Sequence, residues 1–453
     1  MTNVAKGETK TKERRAKPKK ERAKLKKNRA TPEEKLVKPK KERATPTILY
    51  TWAGAIVALL VVSAALSFLA VQTMSSAGER IAESTGPVLI TTQGLVSSIA
   101  EADAANTAVF LSGIDGGDED VEQRRLYESA VARAPAQIED ISAGIGDDTA
   151  THDALKLIAQ QLVQYAGVVE QARVSNINDI DGANELLADS LDLTGGTEGI
   201  LANANVVTAR TEAQFDDDSS AGFLLLVGAI AVLVVTLIVL VMGQMNLRKL
   251  TNRLINFGLV AASISVVALI AWLAIATFGR SADLGTAENE GFADISLSAE
   301  LQTAAFNYKT QETNAIIRED TGGLPEPALL DDIDRQLGRL TDNADTARER
   351  AQVEALVERW NRYLLSSGVI AQRVRSSNFD EARNVVGGEG NQNFNGFNTT
   401  AEALVLTNED QFNAAVTNAT SRLDWLNFAT ILLPALAALL AWLGYRPRIN
   451  EYF

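Results

Sequence analysis

The chain has 453 residues, with 57 Asp and Glu against 43 Lys and Arg, a net charge of −14, one histidine and no cysteine. Without cysteine there is no disulfide, thiolate metal centre or cysteine nucleophile, so any folded part must hold together by packing alone. No G-x-x-x-x-G-K-[ST], no G-x-G-x-x-G after a strand and no H-E-x-x-H occurs, which excludes the commonest phosphate-cradle and zinc-hydrolase sites.

Up to Thr45 the chain carries 18 Lys and Arg against 6 Asp and Glu, and it repeats KPKKERA at Lys17–Ala23 and Lys38–Ala44. It lacks the apolar residues a core requires, so residues 1–46 are predicted to be a disordered basic tail. Such a tail suits adhesion to anionic lipid, at about 1 kcal/mol per basic residue near the surface. With no aromatics interleaved, nucleic acid is not the expected partner. Four uncharged stretches follow along the chain: Ala44–Gly78, Ser219–Leu247, Leu254–Gly279 and Trp425–Tyr445. About 20 apolar residues suffice to cross a bilayer as a helix, so membrane spans are predicted at 47–74, 221–243, 257–279 and 425–445. The first is too long for a signal-peptide core and is expected to be an uncleaved anchor. Pro434 predicts a kink in the fourth.

Between the spans, residues 75–220 hold 7 basic against 26 acidic residues, and residues 280–424 hold 13 against 24. The short link 244–256, QMNLRKLTNRLIN, carries only positive charge (Arg248, Lys249 and Arg253), and the last eight residues, 446–453, are net +1. Basic segments stay on the cytoplasmic side. The tail, the link and the C-terminus are therefore expected inside, and the two acidic segments outside a cell membrane.

Both acidic segments place apolar residues at i, i+3, i+4 and i+7, as in ALKLIAQQLVQYAGVVEQA and AQVEALVERWNRYLLSSGVIAQRV. Breaks are predicted at GIDGGDED, AGIGDD, LTGGTEG, DTGGLPEP and GGEGNQNFNG, giving about four helices in each segment. YAGVVEQARVSNINDIDGANELL parallels YLLSSGVIAQRVRSSNFDEARNVV, and TEAQF parallels NEDQF, each at an offset of about 200 residues. The expected fold is an all-α integral membrane protein, with four transmembrane helices and two extracytoplasmic four-helix bundles arranged as a tandem duplication.

Chemistry-bearing residues are sparse. His152 is expected near a helix start with no role, and DGGDED (115–120) and DDD (216–218) read as solvated turns or helix starts. Setting Gly182 of NDIDG at position 6 of a calcium loop puts Ile177 at 1 and Ala188 at 12, so that pattern fails. No catalytic residue, cofactor or metal is expected. On a helical turn Lys249, Asn252, Arg253 and Asn256 share one polar face. Together with Arg248 and the C-terminal Arg446, Arg448, Glu451 and Tyr452, that face is the candidate contact for a cytoplasmic partner. A large outer surface and almost nothing inside imply that any output belongs to another protein.

The stretches SIAEADAANTAVFL (Ser98–Leu111), VVEQARVSN (Val168–Asn176), LTNRLINFGL (Leu250–Leu259), QETNAIIRE (Gln311–Glu319) and the terminal RPRINEYF together resemble the GlnX family of actinobacteria. The resemblance spans residues 47–453; Phe453 stands where the family pattern has a basic residue. It implies a four-span, non-enzymatic signal transducer that relays aspartate or glutamate availability. The implied partners are an extracytoplasmic amino-acid-binding lipoprotein, GlnH, and a soluble Ser/Thr kinase, PknG. Two other functions fit the residues: a direct sensor binding a small molecule inside an outer bundle, and an envelope spacer or transport accessory.

Overall fold

The structure is a computed structural model that describes residues 45–114, 119–176, 179–251 and 256–450. The chain divides into two units at Ile48, and the following concerns Leu49 onwards. Among the described residues there is helix and no strand. Four helices are long and apolar enough to cross a membrane, and the protein is an all-α, multi-pass membrane protein.

The first half contains α1 (Thr45–Arg80), α2 (Gly86–Ser112), α3 (Val121–Gly144), α4 (Thr149–Ser175), α5 (Ile180–Gly195), α6 (Ile200–Ser220) and α7 (Phe223–Thr251). The second contains α8 (Phe257–Thr286), α9 (Ala293–Ile317), α10 (Pro327–Asn343), α11 (Ala347–Arg375), α12 (Phe379–Val385), α13 (Asn391–Ser421) and α14 (Leu426–Asn450).

The spans meet along seams of three- and four-residue spacing. On α1 the buried positions include Leu49, Ala53, Ile56, Leu60, Ser63, Ser67, Ala70, Met74 and Ala77; on α7, Leu226, Leu233, Leu240 and Leu247 recur every seven residues. That spacing is the coiled-coil period, which keeps one stripe facing its neighbours. The opposite faces expose Val61, Leu69, Leu224, Ile238, Ile264, Ile275 and Leu432, as a lipid-facing surface does. Two serines and Thr236 sit inside the seam, and Ser63 of α1 hydrogen-bonds Thr236 of α7 at 3.1 Å. In the second half, Gly258 of α8 and Gly444 of α14 touch. A Cβ at Gly258 would lie 2.5 Å from the Leu440 carbonyl oxygen and 2.8 Å from the Gly444 Cα. Small residues let membrane helices approach this closely.

Each half sends one span onward without interruption. A continuous 64-residue helix, Leu49–Ser112, carries α1 into α2, and a 61-residue helix, Phe257–Ile317, carries α8 into α9. Both contain one wider, π-helical stretch just beyond the membrane segment, Ile81–Thr85 and Ala287–Phe292. In the first, Pro87 lacks an N–H and its ring crowds the carbonyl four residues back. The chain accommodates it with a longer bond, from the Gly86 N–H to the Ile81 carbonyl. α2 and α9 pack along each other as twin pillars.

Around α2 stand α3, α4 and a fourth arm made of α5 and α6; around α9 stand α10, α11 and a fourth arm made of α12 and α13. The fourth arm of the first half breaks at Gly196–Gly199, as LTGGTEG predicts. The corresponding GGEGNQNFNG does not break. Val386–Gly390 forms a π-helical stretch and α13 starts at once, because Phe394 and Phe397 are drawn into a buried aromatic core with Trp360 and Tyr363. Burial of two phenylalanines outweighs the glycine cost of about 1 kcal/mol per residue. Additional turns, unmarked by glycine runs, separate α4 from α5 and α11 from α12. The second uses Ser377 in the left-handed region at φ 55°.

Candidate functional site

At the loop end, α7 finishes with Arg248 and Lys249 exposed in its last turn. Asn256 opens α8. Its side-chain oxygen accepts from the N–H groups of Gly258 (3.1 Å) and Leu259 (3.4 Å), and its amide donates to the Gly444 carbonyl of α14 (2.8 Å). Arg446 is exposed two residues further on, and Arg448 lies near the end of α14. Asn256 is thus joined to the 444–446 segment, while Gln244 of α7 donates to Ser263 of α8 at 3.5 Å. Asn252, Arg253, Glu451 and Tyr452, like the basic tail up to residue 44, lie outside the described residues.

The acidic clusters act locally. Asp120 caps α3 by accepting from Glu122 and Gln123 N–H, and Asp179 of NDIDG caps α5 by accepting from Gly182 N–H. These satisfy N–H groups that a helix start leaves free. His152 is exposed and its Nε2–H donates to the Gly146 carbonyl at 2.8 Å, closing the turn before α4. Asp218 of DDD has a larger role. It accepts from Arg80 at the end of α1 (2.5 and 2.9 Å), while the buried Arg280 of α8 donates to the Asp218 and Ser219 carbonyls. The second half closes with reversed polarity, Arg422 at the end of α13 pairing with Asp283 of α8.

Just above these clasps, Phe412 is wedged between the two pillars. A Cβ on Gly86, just past the first π-helical stretch, would fall 2.7 Å from its ring, and one on Gly291, inside the second, 2.8 Å from its Cβ, so both continuous helices crowd one residue. Phe215 stacks beside it, ring centroids 6.2 Å apart. Any shift of one pillar is felt by the other at this point, because a close-packed core does not absorb displacement.

Further out, each pillar carries a buried carboxylate. On α2, residues Ser98–Leu111 are buried without a break, and Asp103 lies among them. Thr194 donates to its Oδ2 at 2.6 Å, and the buried Tyr165 hydroxyl lies beside the carboxylate, its own Oη and Asp103 Oδ1 having no other partner among the described residues. Burial pushes this carboxyl from the usual 3.8 up to about 7. On α9, Glu312 accepts from Tyr363 (2.9 Å) and Ser367 (2.5 Å) of α11. Burial raises it to about 7 as well, and lowers Lys309, one turn earlier, to about 8. The Lys309 ammonium lies 4.7 Å from the centre of the Phe394 ring.

Asp103 borders a cleft of about 520 Å³ between the halves. α5 supplies Ala188, Leu191, Asp192 and Thr194, α6 supplies Leu201, and α9 supplies Thr303, Asn307, Thr310, Gln311 and Asn314, with Arg318 just past its end. The quoted motif EADAAN contained this acid, but its role was not visible in the sequence. The available signal was an acid inside a stretch of small residues, where a helix buried on all sides leaves no solvent for it.

Residues 77–220 match the actinobacterial sensor domain. The match runs from the end of α1 to the end of α6 and includes Asp103 and its Thr194 partner. No curated protein and no solved structure matches the chain. The sensor domain points to a sensing and signalling role, and it covers the half whose buried acid borders the cleft.

Proposed function

We propose that the protein is a non-enzymatic transmembrane signal transducer. It relays the availability of aspartate or glutamate from an extracytoplasmic binding lipoprotein of the GlnH kind to a soluble Ser/Thr kinase of the PknG kind. The observation that carries the transducer reading is the pair of unbroken helices, Leu49–Ser112 and Phe257–Ile317, which join the outer interface to the membrane interior and share the Phe412 wedge. A displacement between α2 and α9 reaches the spans along continuous helix, and piston or tilt movements of this sort are a known form of switching. The sensor-domain match supports the input side. The lipoprotein, the kinase and the acidic amino acid rest on the resemblance of the quoted motifs.

In this reading the acidic segments face outward and the loop end faces the cytosol, where exposed Arg248, Lys249 and Arg446 are offered to the partner. In cells lacking the gene, glutamate in the medium should no longer change phosphorylation of the kinase's substrates, and the intact gene should restore the response. An unchanged response in the deletion strain overturns the proposal. Cysteines at the exposed positions Ala143 and Gly338 should react with an impermeant reagent in whole cells, and one at Thr251 should not.

A further inference from the structure

The buried carboxylates of the head are Glu101, Asp103, Asp218, Asp294, Glu312 and Glu349. Arg133 pairs with Glu101, and Arg80 with Asp218. Asn343 donates to Asp294. Glu312 has two hydroxyl donors, and Glu349 closes a capping box with Thr346. Asp103 differs: it is 9% exposed and borders a cleft, Thr194 donates to its Oδ2, the buried Tyr165 hydroxyl lies beside it, and no Lys or Arg pairs with it among the described residues. A buried carboxylate with no cation against it is costly, and a cation bearing several N–H donors is the group that satisfies it best. The cleft it borders is of a size for a small metabolite, and the facing stretch of α9 presents neutral hydroxyls and amides. Among these, Asn314 keeps a buried, unpartnered Oδ1.

We propose that the cleft between α2, α5–α6 and α9 binds a small molecule bearing a protonated amine, with the ammonium group seated on Asp103. The inference rests on the sensing reading above and adds the place and chemistry of a direct ligand. The ligand touches α2 and α5–α6 of one half and α9 of the other, so its arrival changes how the two pillars pack. Leu191 and Ala188 form the apolar wall beside the ammonium, and Thr303, Asn307 and Gln311 face whatever polar group the ligand carries at its other end. Arg318 is exposed at the outer margin, one helical stretch beyond.

The test uses the full chain in lipid nanodiscs at about pH 8, where Asp103 is mainly ionised. Thermal unfolding is followed in propylammonium chloride, with 1-propanol in matched sodium chloride as the amine-free counterpart. Propylammonium should raise the unfolding temperature saturably, and propanol should not. Asp103→Asn should weaken the effect about tenfold or more. Ala188→Phe, which fills the cleft and leaves the carboxylate, should do the same, so the result does not depend on one variant folding. No saturable shift in the wild type, or equal shifts in both variants, overturns the site. The kinase response in cells is read separately. A missing cleft effect with an intact response discards this inference and leaves the transducer reading standing, whereas the reverse pattern discards the transducer and keeps the cleft.

Discussion

In the second half, Glu312 accepts bonds from Tyr363 and Ser367 and has Lys309 one turn away, inside a core where Trp360, Tyr363, Phe394 and Phe397 stack with ring centres 5.0–5.9 Å apart. In the first half, Asp103 on the other pillar has the Thr194 hydroxyl as donor, the Tyr165 hydroxyl beside it and no basic partner among the described residues, and it borders a cleft. Both carboxyls are buried and both are pushed up to about 7, so titration alone does not tell them apart; their partners do. One half holds its buried acid as a satisfied part of a core, and the other holds its buried acid beside a ligand-sized space. If the cleft is the ligand site proposed above, the first half is the receptive one and the second is the frame it works against.

The largest expected effect follows from the satisfied acid. Glu312→Ala removes the acceptor for two buried hydroxyls and a countercharge of the buried Lys309. Breaking a buried network by deleting one member costs about 3–5 kcal/mol. Denaturant unfolding of the full chain in detergent should show a large fall in midpoint. A neutral outcome would mean that the second core tolerates the loss and that the two halves are not so different.

For Asp103 the sign is opposite and depends on pH. Its folded-state pKa is raised from 3.8 to about 7, so below about pH 4 the carboxyl is protonated in both folded and unfolded protein and carries no penalty. As pH rises from about 4 to 7 the unfolded state ionises while the folded state resists, and stability is lost; above 7 the loss is complete. Asp103→Asn, neutral throughout, should therefore stabilise the ligand-free protein above pH 7 and have little effect below 4. At ~1.4 kcal/mol per pKa unit the ceiling is about 4 kcal/mol, and about 1–3 kcal/mol is expected once the new amide's own needs are met. A stabilisation independent of pH would sink the account of Asp103 as a buried charge with no countercharge.

Much of the frame was legible from the residues. The four uncharged stretches gave the spans, and period 3.6 gave the helices, because both signals are local. The close packing of α2 against α9 was not legible, since nothing in Ser98–Leu111 says which helix its small residues admit. GGEGNQNFNG misled for a related reason: glycine marks a local preference, and the aromatic core that overrides it is assembled from α9, α11 and α13. The candidate cleft was hidden most deeply. Asp103, Thr194 and Asn314 lie far apart in sequence, and only the fold puts them around one space.

The smallest effect extends the comparison into the membrane. The second half's spans are pinned at the loop end, where Gly258 meets Gly444 and Asn256 both caps α8 and holds the Gly444 carbonyl. The first half's spans share the Ser63–Thr236 hydroxyl bond in mid-membrane. Side-chain bonds of that kind inside bilayers average about 0.6 kcal/mol, whereas losing a helix cap costs about 0.5–2 kcal/mol. Asn256→Ala, which loses a cap and an inter-helix bond together, should therefore destabilise the protein by about 1–2 kcal/mol, and Ser63→Ala by less than about 1 kcal/mol. The two should also differ in signalling. If the second half is the frame and the relay proposed above holds, loosening its loop end lets α14 drift from α8 and blunts the kinase response, even though Arg248, Lys249 and Arg446 are untouched. Ser63→Ala frees the half that has to move, and the response should persist. Asn256→Gly separates cap from tether, because glycine is a fair helix cap but has no amide to reach Gly444. If Asn256→Gly signals normally while Asn256→Ala does not, the cap alone matters. Equal damage from both variants locates the function in the tether. A full response in both would remove the loop end of the second half from the relay.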